Sequence, residues 1–190
     1  QTYFVKIRHA PFAIYMKAIQ PAAGRELIYA TGHYDDMVIA HPVGLSRLLV
    51  PRVKIPPDHP FILGESRHPF NQAGLLNMIR KMIAARRLDL KDPETTTVLE
   101  PTTGDDGRQW LKATHAYPAP SVERPYSETV VYFDPDHHLP LRFIGYDWSE
   151  NGRAEHLLGE RYTYDDLQLD VPLTNTDFDP ANPSYEFHRL

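Results

Sequence analysis

Hydrophobic and polar residues alternate along most of the chain, which predicts short β-strands separated by turns. The alternation is clear in residues 3–8 and again in residues 12–18, with a proline-containing turn between them. Short connections join antiparallel strands, whereas parallel strands need a long crossover, so an antiparallel meander is expected. Further strands are predicted at residues 25–31, 37–41, 52–55, 95–99, 108–116, 128–133, 139–148 and 154–171.

The period changes after residue 70, where apolar side chains recur at helical spacing. This spacing predicts an amphipathic helix over residues 71–86, with Asn71 as its N-cap and Phe70 packed against the first apolar residue. The apolar stripe of this helix consists of Leu75, Leu76, Ile79, Met82 and Ile83.

Nine or ten antiparallel strands and one helix predict an α+β protein made mostly of antiparallel β-structure. A sheet of that size tends to curl or close on itself. We therefore expect a strongly curved sheet or incomplete β-barrel wrapped around the one main helix. No repeat or boundary divides the chain, so residues 1–190 are predicted to form a single domain. The 18 prolines argue against a helix bundle, because proline shortens helices.

Composition excludes several classes of protein. The formal net charge of −5 argues against a nucleic-acid-binding protein, which normally carries a basic surface. The absence of cysteine excludes disulfides, thiolate metal sites and cysteine nucleophiles. No apolar run approaches the roughly 20 residues of a transmembrane helix. The chain begins with Gln1 and not with methionine, so we expect a processed or trimmed chain.

Four stretches of sequence carry a resemblance to a known superfamily. They are residues 11–17 (Pro-Phe-Ala-Ile-Tyr-Met-Lys), 24–29 (Gly-Arg-Glu-Leu-Ile-Tyr), 134–142 (Asp-Pro-Asp-His-His-Leu-Pro-Leu-Arg) and 177–183 (Asp-Phe-Asp-Pro-Ala-Asn-Pro). Together they resemble the bacterial outer-membrane lipoprotein carrier superfamily (LolA/LolB-like), and specifically a family of unknown function placed near it.

The resemblance implies an incomplete antiparallel barrel in which helices plug an apolar cavity that holds acyl chains. It also implies an exported, periplasmic location in the bacterial envelope. Such proteins carry an N-terminal helix and a further strand ahead of the position where this sequence starts, so we expect both to be missing here. The alternative for a chain without them is that the cavity closes up or that the protein forms a homodimer.

Histidines and carboxylates invite a metal hypothesis, most of all in the cluster of Asp134, Asp136, His137 and His138. Turn formation explains this cluster better, because aspartate starts turns and proline fixes the next position. The sequence contains no Gly-x-Ser-x-Gly elbow and no phosphate-binding glycine loop. We therefore predict no catalytic residue, no enzymatic activity, no metal and no cofactor.

Four of the basic side chains on or beside the predicted helix bear on its role. Arg80, Arg87 and Lys91 fall in one stripe, for which a solvated flank is the favoured interpretation and contact with a membrane surface the alternative. Arg86 falls in the middle of the apolar arc. Either the helix ends before it, or its stem lies on apolar surface with the guanidinium in water, or it meets a bound carboxylate or phosphate at the cavity mouth.

We predict a lipid- or lipoprotein-binding carrier that takes a lipid or an acylated protein as partner and no nucleic acid. The physical reason is that one helix with five large apolar side chains cannot cover the concave face of nine or ten strands. The residues expected to contact an acyl chain are Ile14, Met16, Ile79, Met82, Ile83, Arg86, Trp110, Tyr132 and Phe143.

The alternative function belongs to another class, a protein-interaction or sensing module of the envelope without lipid cargo. The proline-rich residues 42–60 are the candidate docking loop for such a partner, and residues 45–49 within them are predicted to form one helical turn.

Overall fold

A computed structural model describes residues 1–41 and 52–187 of the chain. The chain divides into two compact units, the N-terminal unit (Gln1–Gly74 with Leu169–Leu190) and the central unit (Leu75–Gln168). The prediction of a single domain stays a prediction. The described strands are β1 (Thr2–His9), β2 (Phe12–Gln20), β3 (Glu26–Ala30), β4 (Val38–His41), β5 (Val53–Ile55), β6 (Thr96–Thr103), β7 (Gln109–Ala116), β8 (Tyr126–Phe133), β9 (Pro140–Trp148) and β10 (Ala154–Thr163). The described helices are α1 (Pro60–Leu63) and α2 (Leu75–Asp89), with 3₁₀ turns at Tyr34–Asp36, Phe70–Gln72 and Asn175–Phe178.

The described strands form two open antiparallel sheets, β1-β2-β3-β4-β5 in the N-terminal unit and β10-β9-β8-β7-β6 in the central unit. The prediction of an α+β protein made mostly of antiparallel strands is confirmed. The expected single sheet is corrected to two sheets of five strands each. The physical reason lies after β5, where Pro56 and Pro57 are followed by helices and turns, so that no hairpin joins β5 to β6.

The sheet of the N-terminal unit is covered on both faces. On one face Tyr15 and Ile28 pack against Phe178, Tyr185 and Phe187 of the C-terminal segment. On the other face the described side chains form a second buried cluster, which contains Ile14, Leu27, Tyr29, Val38, Ala40, Ile62 and Phe70. Every residue of β3 and β4 is consequently buried, as expected for central strands with a layer on each side.

A buried carboxylate helps to hold the C-terminal segment on this sheet. Glu26 has no exposed surface. Its Oε1 accepts a hydrogen bond from the Tyr15 hydroxyl at 2.8 Å, and its Oε2 accepts one from the Glu186 backbone N–H at 2.7 Å. Lys17 Nζ lies 3.5 Å from Oε1. The charge is therefore paired and hydrogen-bonded, as burial requires.

Helix α2 begins later than the sequence predicts. It runs from Leu75 to Asp89, and Asn71 lies in a preceding 3₁₀ turn, so the N-cap prediction is wrong. Gly74 separates the two elements with φ of +101°, a conformation that glycine adopts without strain. Phe70 is buried in the core of the N-terminal unit instead of acting as a helix staple. Arg86 lies inside the helix, which removes the option that the helix ends before it.

The predicted strand over residues 154–171 stops at Thr163. Beyond it the left-handed backbone of Asp166 and Asp170, with φ of 51° and 55°, breaks the extended conformation that the alternating pattern of residues 167–171 predicts. The helical turn expected at residues 45–49 lies outside the described residues. Among the helices that are described, none combines the length and the apolar character needed to cross a membrane.

Candidate ligand-binding site

One row of side chains crosses the central sheet from edge to edge on the face that α2 covers. Strand register pairs Leu99 with Ala113, Ala113 with Val131, Val131 with Phe143, and Phe143 with Tyr162. Directly paired residues of an antiparallel sheet lie on the same face. The middle three members are buried, whereas Leu99 at the edge is 63% exposed. The row is therefore an apolar floor that is covered at its centre and open toward β6.

Helix α2 covers this floor only in part. Met78 and Met82, one helical turn apart, pack against the buried centre of the row. All fifteen residues of α2 are described, and none of them is buried. Ile79 is half-buried and Ile83 is 48% exposed. The predicted apolar stripe is present on the helix, but part of its surface stays exposed to solvent.

The next turn of α2 changes the chemistry of this interface from apolar to charged. Arg86 follows Met82 by four residues and so continues the same helix face. Its Nη2 lies 2.8 Å from Asp89 Oδ2 and donates a hydrogen bond to the Tyr117 hydroxyl. The Arg86 guanidinium also lies 6.0 Å from the centre of the Tyr117 ring. The helix–sheet interface is thus apolar at Met78 and Met82 and ionic one turn further on.

A second arginine completes the charged end. Arg124 pairs with Asp89 Oδ1 through Nη1, and its Nη2 lies 3.2 Å from Asp92 Oδ2. Its guanidinium stacks over the Tyr117 ring at 4.6 Å. The Arg124 and Asp89 side chains are only 11% and 8% exposed. This pairing ties the end of α2 to the connection between β7 and β8.

His115 lies between the apolar row and the charged end. It follows Ala113 by two residues on β7, so both side chains lie on the same face. The ring is buried, and its Nδ1 lies 2.9 Å from Thr97 Oγ1. Burial, aided by the nearby Arg86 guanidinium, lowers the pKa of His115 to about 4. The ring is consequently neutral at neutral pH.

The depressed pKa of His115 predicts a loss of stability in mild acid. The folded pKa of about 4 lies below the ordinary value of 6.5, so the unfolded chain takes up a proton first as the pH falls. The contribution is complete above pH 6.5, declines between pH 6.5 and 4, and amounts to about 2–3 kcal/mol. We expect His115→Gln to remove this part of the pH dependence of urea unfolding. The matched variant His156→Gln, at a side chain that is 67% exposed, should keep this pH dependence. The same dependence of unfolding free energy on pH in both variants would contradict its assignment to His115.

Two predicted lining residues lie in the N-terminal unit. Ile14 is completely buried in the core formed with Ile62 and Phe70, and Met16 is half-buried against the same core. The prediction placed these two on the same concave face as the residues of the central sheet. The structure instead assigns them to the packing of a separate sheet.

Trp110 and Tyr132 lie on the opposite face of the central sheet from Phe143. Tyr132 follows the row residue Val131 by one position, and successive strand side chains point to opposite faces. Its ring contacts the Arg142 guanidinium at 5.4 Å, and Trp110 Nε1 donates to Asp106 Oδ1 at 3.1 Å. The structure brings Met82 and Phe143 together and leaves these two aromatic side chains outside that contact.

Sequence analysis missed the partners of Arg86. Tyr117 and Arg124 lie in the short connection between β7 and β8, where no periodic pattern singles out a residue. Asp89 lies beyond residue 86, where the predicted helix ends, and its pairing with Arg86 was not predicted. The signal that was available is the placement of Arg86 on an apolar helix face, which requires a polar partner from elsewhere.

Arg80, Arg87 and Lys91 are exposed, which accommodates both the solvated-flank and the membrane-surface interpretations.

The cluster at residues 134–138 forms the turn between β8 and β9, which confirms the turn prediction. Asp134 Oδ1 accepts from the Leu139 N–H at 3.0 Å, and Oδ2 accepts from the His137 N–H at 3.1 Å. Burial opposes the charged form of Asp134, but these backbone donors outweigh it and hold the pKa of the carboxyl below its usual range. Within residues 1–41 and 52–187, no group of three histidine or carboxylate side chains is placed to hold a metal ion.

Comparison with known proteins places the chain in a family and leaves the activity open. No curated protein and no solved structure matches the chain. Residues 1–187, which include both sheets and α2, match the family described as "Protein of unknown function (DUF1571)". Because the match covers nearly the whole length, the chain belongs to the DUF1571 family.

Proposed function

We propose that the central unit binds an acyl chain between α2 and the row of Leu99, Ala113, Val131, Phe143 and Tyr162. The protein would then act as a carrier for a lipid or an acylated protein. In this proposal the LolA-like element is the central unit, a curved sheet wrapped against one helix. The exported, periplasmic location belongs to the same proposal.

The observation that carries the proposal is that α2 is amphipathic and yet has no buried residue. A helix of a globular protein normally buries its apolar stripe against the core. Here Met78 and Met82 reach the buried centre of the row, while Ile83 and the edge residue Leu99 stay about half exposed or more. Apolar surface therefore remains on both walls of the same interface.

An acyl chain suits this surface for energetic reasons. Burial of each CH₂ group stabilises a complex by about 0.8 kcal/mol, so even a few buried groups give measurable affinity. The two methionines on α2 add adaptability, because their unbranched side chains adjust to chains of different length. The neighbouring Leu111, which lies on the same face as Ala113 and is 44% exposed, would extend the contact along β7, on the side of Ala113 away from His115.

We expect Met82→Asp to weaken binding of cis-parinaric acid, a fluorescent fatty acid, by at least about tenfold. A carboxylate placed against the buried centre of the row opposes an apolar ligand and loses its own hydration. The measurement is saturation of the probe's emission. Retention of the fold is checked by the emission of Trp110 and Trp148, the two tryptophans of the chain, both of which lie in the central unit.

Two matched variants complete this experiment. Met82→Leu conserves volume and apolar character and should bind like the unmodified protein. Val122→Asp introduces the same charge at a side chain that is 95% exposed and should also bind normally. The proposal fails if the unmodified protein shows no saturable binding, or if Met82→Asp and Val122→Asp bind equally well. Recovery of a protein partner by a lipid-free sample would then favour the interaction-module alternative.

A further inference from the structure

Arg86 carries hydrogen-bond donors that the protein itself does not use. Its Nη2 contacts Asp89 and Tyr117, but Nε and Nη1 are shielded from solvent and form no hydrogen bond with any residue in the described ranges. A buried donor without an acceptor is costly, and the cost is larger for a charged group. These two nitrogens lie on the side chain that directly follows the methionines of the apolar interface. An acceptor from outside the chain would be stabilised here once the Arg86 side chain turns these two nitrogens toward it.

The carboxylates around Arg86 are shared unequally between two arginines. Arg124 is paired with two carboxylates, Asp89 and Asp92. Arg86 shares Asp89 with Arg124 and has no carboxylate of its own among the described residues. The buried His115 ring beside it adds no positive charge at neutral pH, since burial lowers its pKa to about 4. The two arginines and the two aspartates therefore balance in formal charge, and what Arg86 lacks is hydrogen-bond acceptors for Nε and Nη1.

The order of these groups along α2 matches the order of groups in an amphiphile. Met78 and Met82 face the apolar row, and Arg86 follows on the same side of the helix. We infer that the ligand is a single-chain amphiphile with one anionic head, and that the Arg86 guanidinium and the Tyr117 hydroxyl hold that head at the charged end. This inference rests on the proposed function and names its ligand class.

The head group that fits is a carboxylate or a phosphate. Both present several acceptor oxygens, and a hydrogen bond from a guanidinium to an ionised oxygen is stronger than one to a neutral oxygen. The Tyr117 hydroxyl accepts from Arg86 and keeps its own proton to donate to a head-group oxygen. A neutral ester or alcohol head would accept hydrogen bonds from Arg86 without the added strength of an ionised acceptor and should bind more weakly.

The test compares ligands that share one chain and differ in the head. Oleate, oleoyl lysophosphatidic acid and methyl oleate are titrated by calorimetry below their micelle concentrations, against the full chain and two variants. Arg86→Met removes the charge and keeps an apolar stem, and Arg80→Met makes the same change at an exposed position of the same helix. Tryptophan emission reports folding of the central unit, and Arg86→Lys provides a variant that keeps the charge.

We expect the unmodified protein and Arg80→Met to bind at least one of the two anions about tenfold more tightly than methyl oleate. Arg86→Met should lose that preference and keep its affinity for methyl oleate, and Arg86→Lys should retain part of the preference. The better of the two anions identifies the head group. Equal binding of all three ligands by the unmodified protein, or an unchanged preference in Arg86→Met, would overturn the inference while leaving acyl-chain binding intact. Failure of every ligand to bind would instead overturn the proposed function.

Discussion

Replacing Asp89 with asparagine is expected to lower the free energy of unfolding of the central unit by about 3–5 kcal/mol. Asp89 is the shared partner of Arg124 and Arg86, and its side chain is only 8% exposed. Without its charge, Arg86 loses the one carboxylate it pairs with among the described residues, and Arg124 keeps only Asp92. Removal of one partner from a buried ion pair is destabilising because the remaining charge is neither hydrated nor compensated.

The measurement for Asp89→Asn is urea unfolding followed by tryptophan emission, which reports the central unit because both tryptophans lie there. Asp105→Asn is the matched control. Asp105 also pairs with an arginine, Arg142, at 2.5 Å, but its side chain is 83% exposed. An exposed pair of this kind contributes about 0–1 kcal/mol. Similar losses of unfolding free energy in the two variants would show that burial does not increase the contribution of the Asp89 ion pair to stability.

Phe187→Ala is expected to destabilise the N-terminal unit by about 3–5 kcal/mol. The Phe187 ring is 2% exposed and packs in the cluster that includes Tyr15 and Ile28 on one face of the sheet. The change removes apolar contacts and leaves a cavity beneath the C-terminal segment. Hydrogen exchange of the β3 and β4 amides is the suitable measurement, because these strands are buried and the unit contains no tryptophan.

Phe4→Ala serves as the control in the same unit. The Phe4 ring is 52% exposed, and its contact with Tyr15 is an edge-on one at 6.5 Å. Its loss should cost about 1 kcal/mol or less. Faster exchange in β3 and β4 for Phe187→Ala alone is the expected result. Equal protection in the two variants would mean that the C-terminal segment does not contribute to the stability of this sheet.

The local sequence pattern predicts the individual strands and helices of this protein better than it predicts how the strands pair into sheets. Strands β1 and β2 follow from the alternation in residues 3–8 and 12–18, since one face of each strand must meet a core. Residues 167–171, the end of the strand predicted over residues 154–171, have the same alternation but pair with no strand that the structure describes, and an isolated strand has no ladder to stabilise it. The division into two sheets depends on which strands pair, and alternation carries no information about that choice.

The same distinction between local pattern and assembly holds for the residues of the candidate site. Met82 and Arg86 were predicted because the helical period places them on one face, which is a property of the sequence alone. Trp110 and Tyr132 were placed with Phe143 because all three are aromatic, although alternation from Val131 already puts Tyr132 on the other face. The roles of Tyr117 and Arg124 follow only from the packing of a short connection against the end of α2, which no local pattern encodes.

The N-terminal unit consists of two separate stretches of the chain, so its two parts are synthesised at different times. Strands β1–β5 leave the ribosome first, but the Phe178, Tyr185 and Phe187 side chains that cover one face of their sheet are synthesised only after the whole central unit. The central unit is one continuous stretch and can complete its core as soon as it has emerged. During that interval Tyr15 and Ile28 lie on an uncovered apolar face, the kind of surface that chaperones bind on a growing chain.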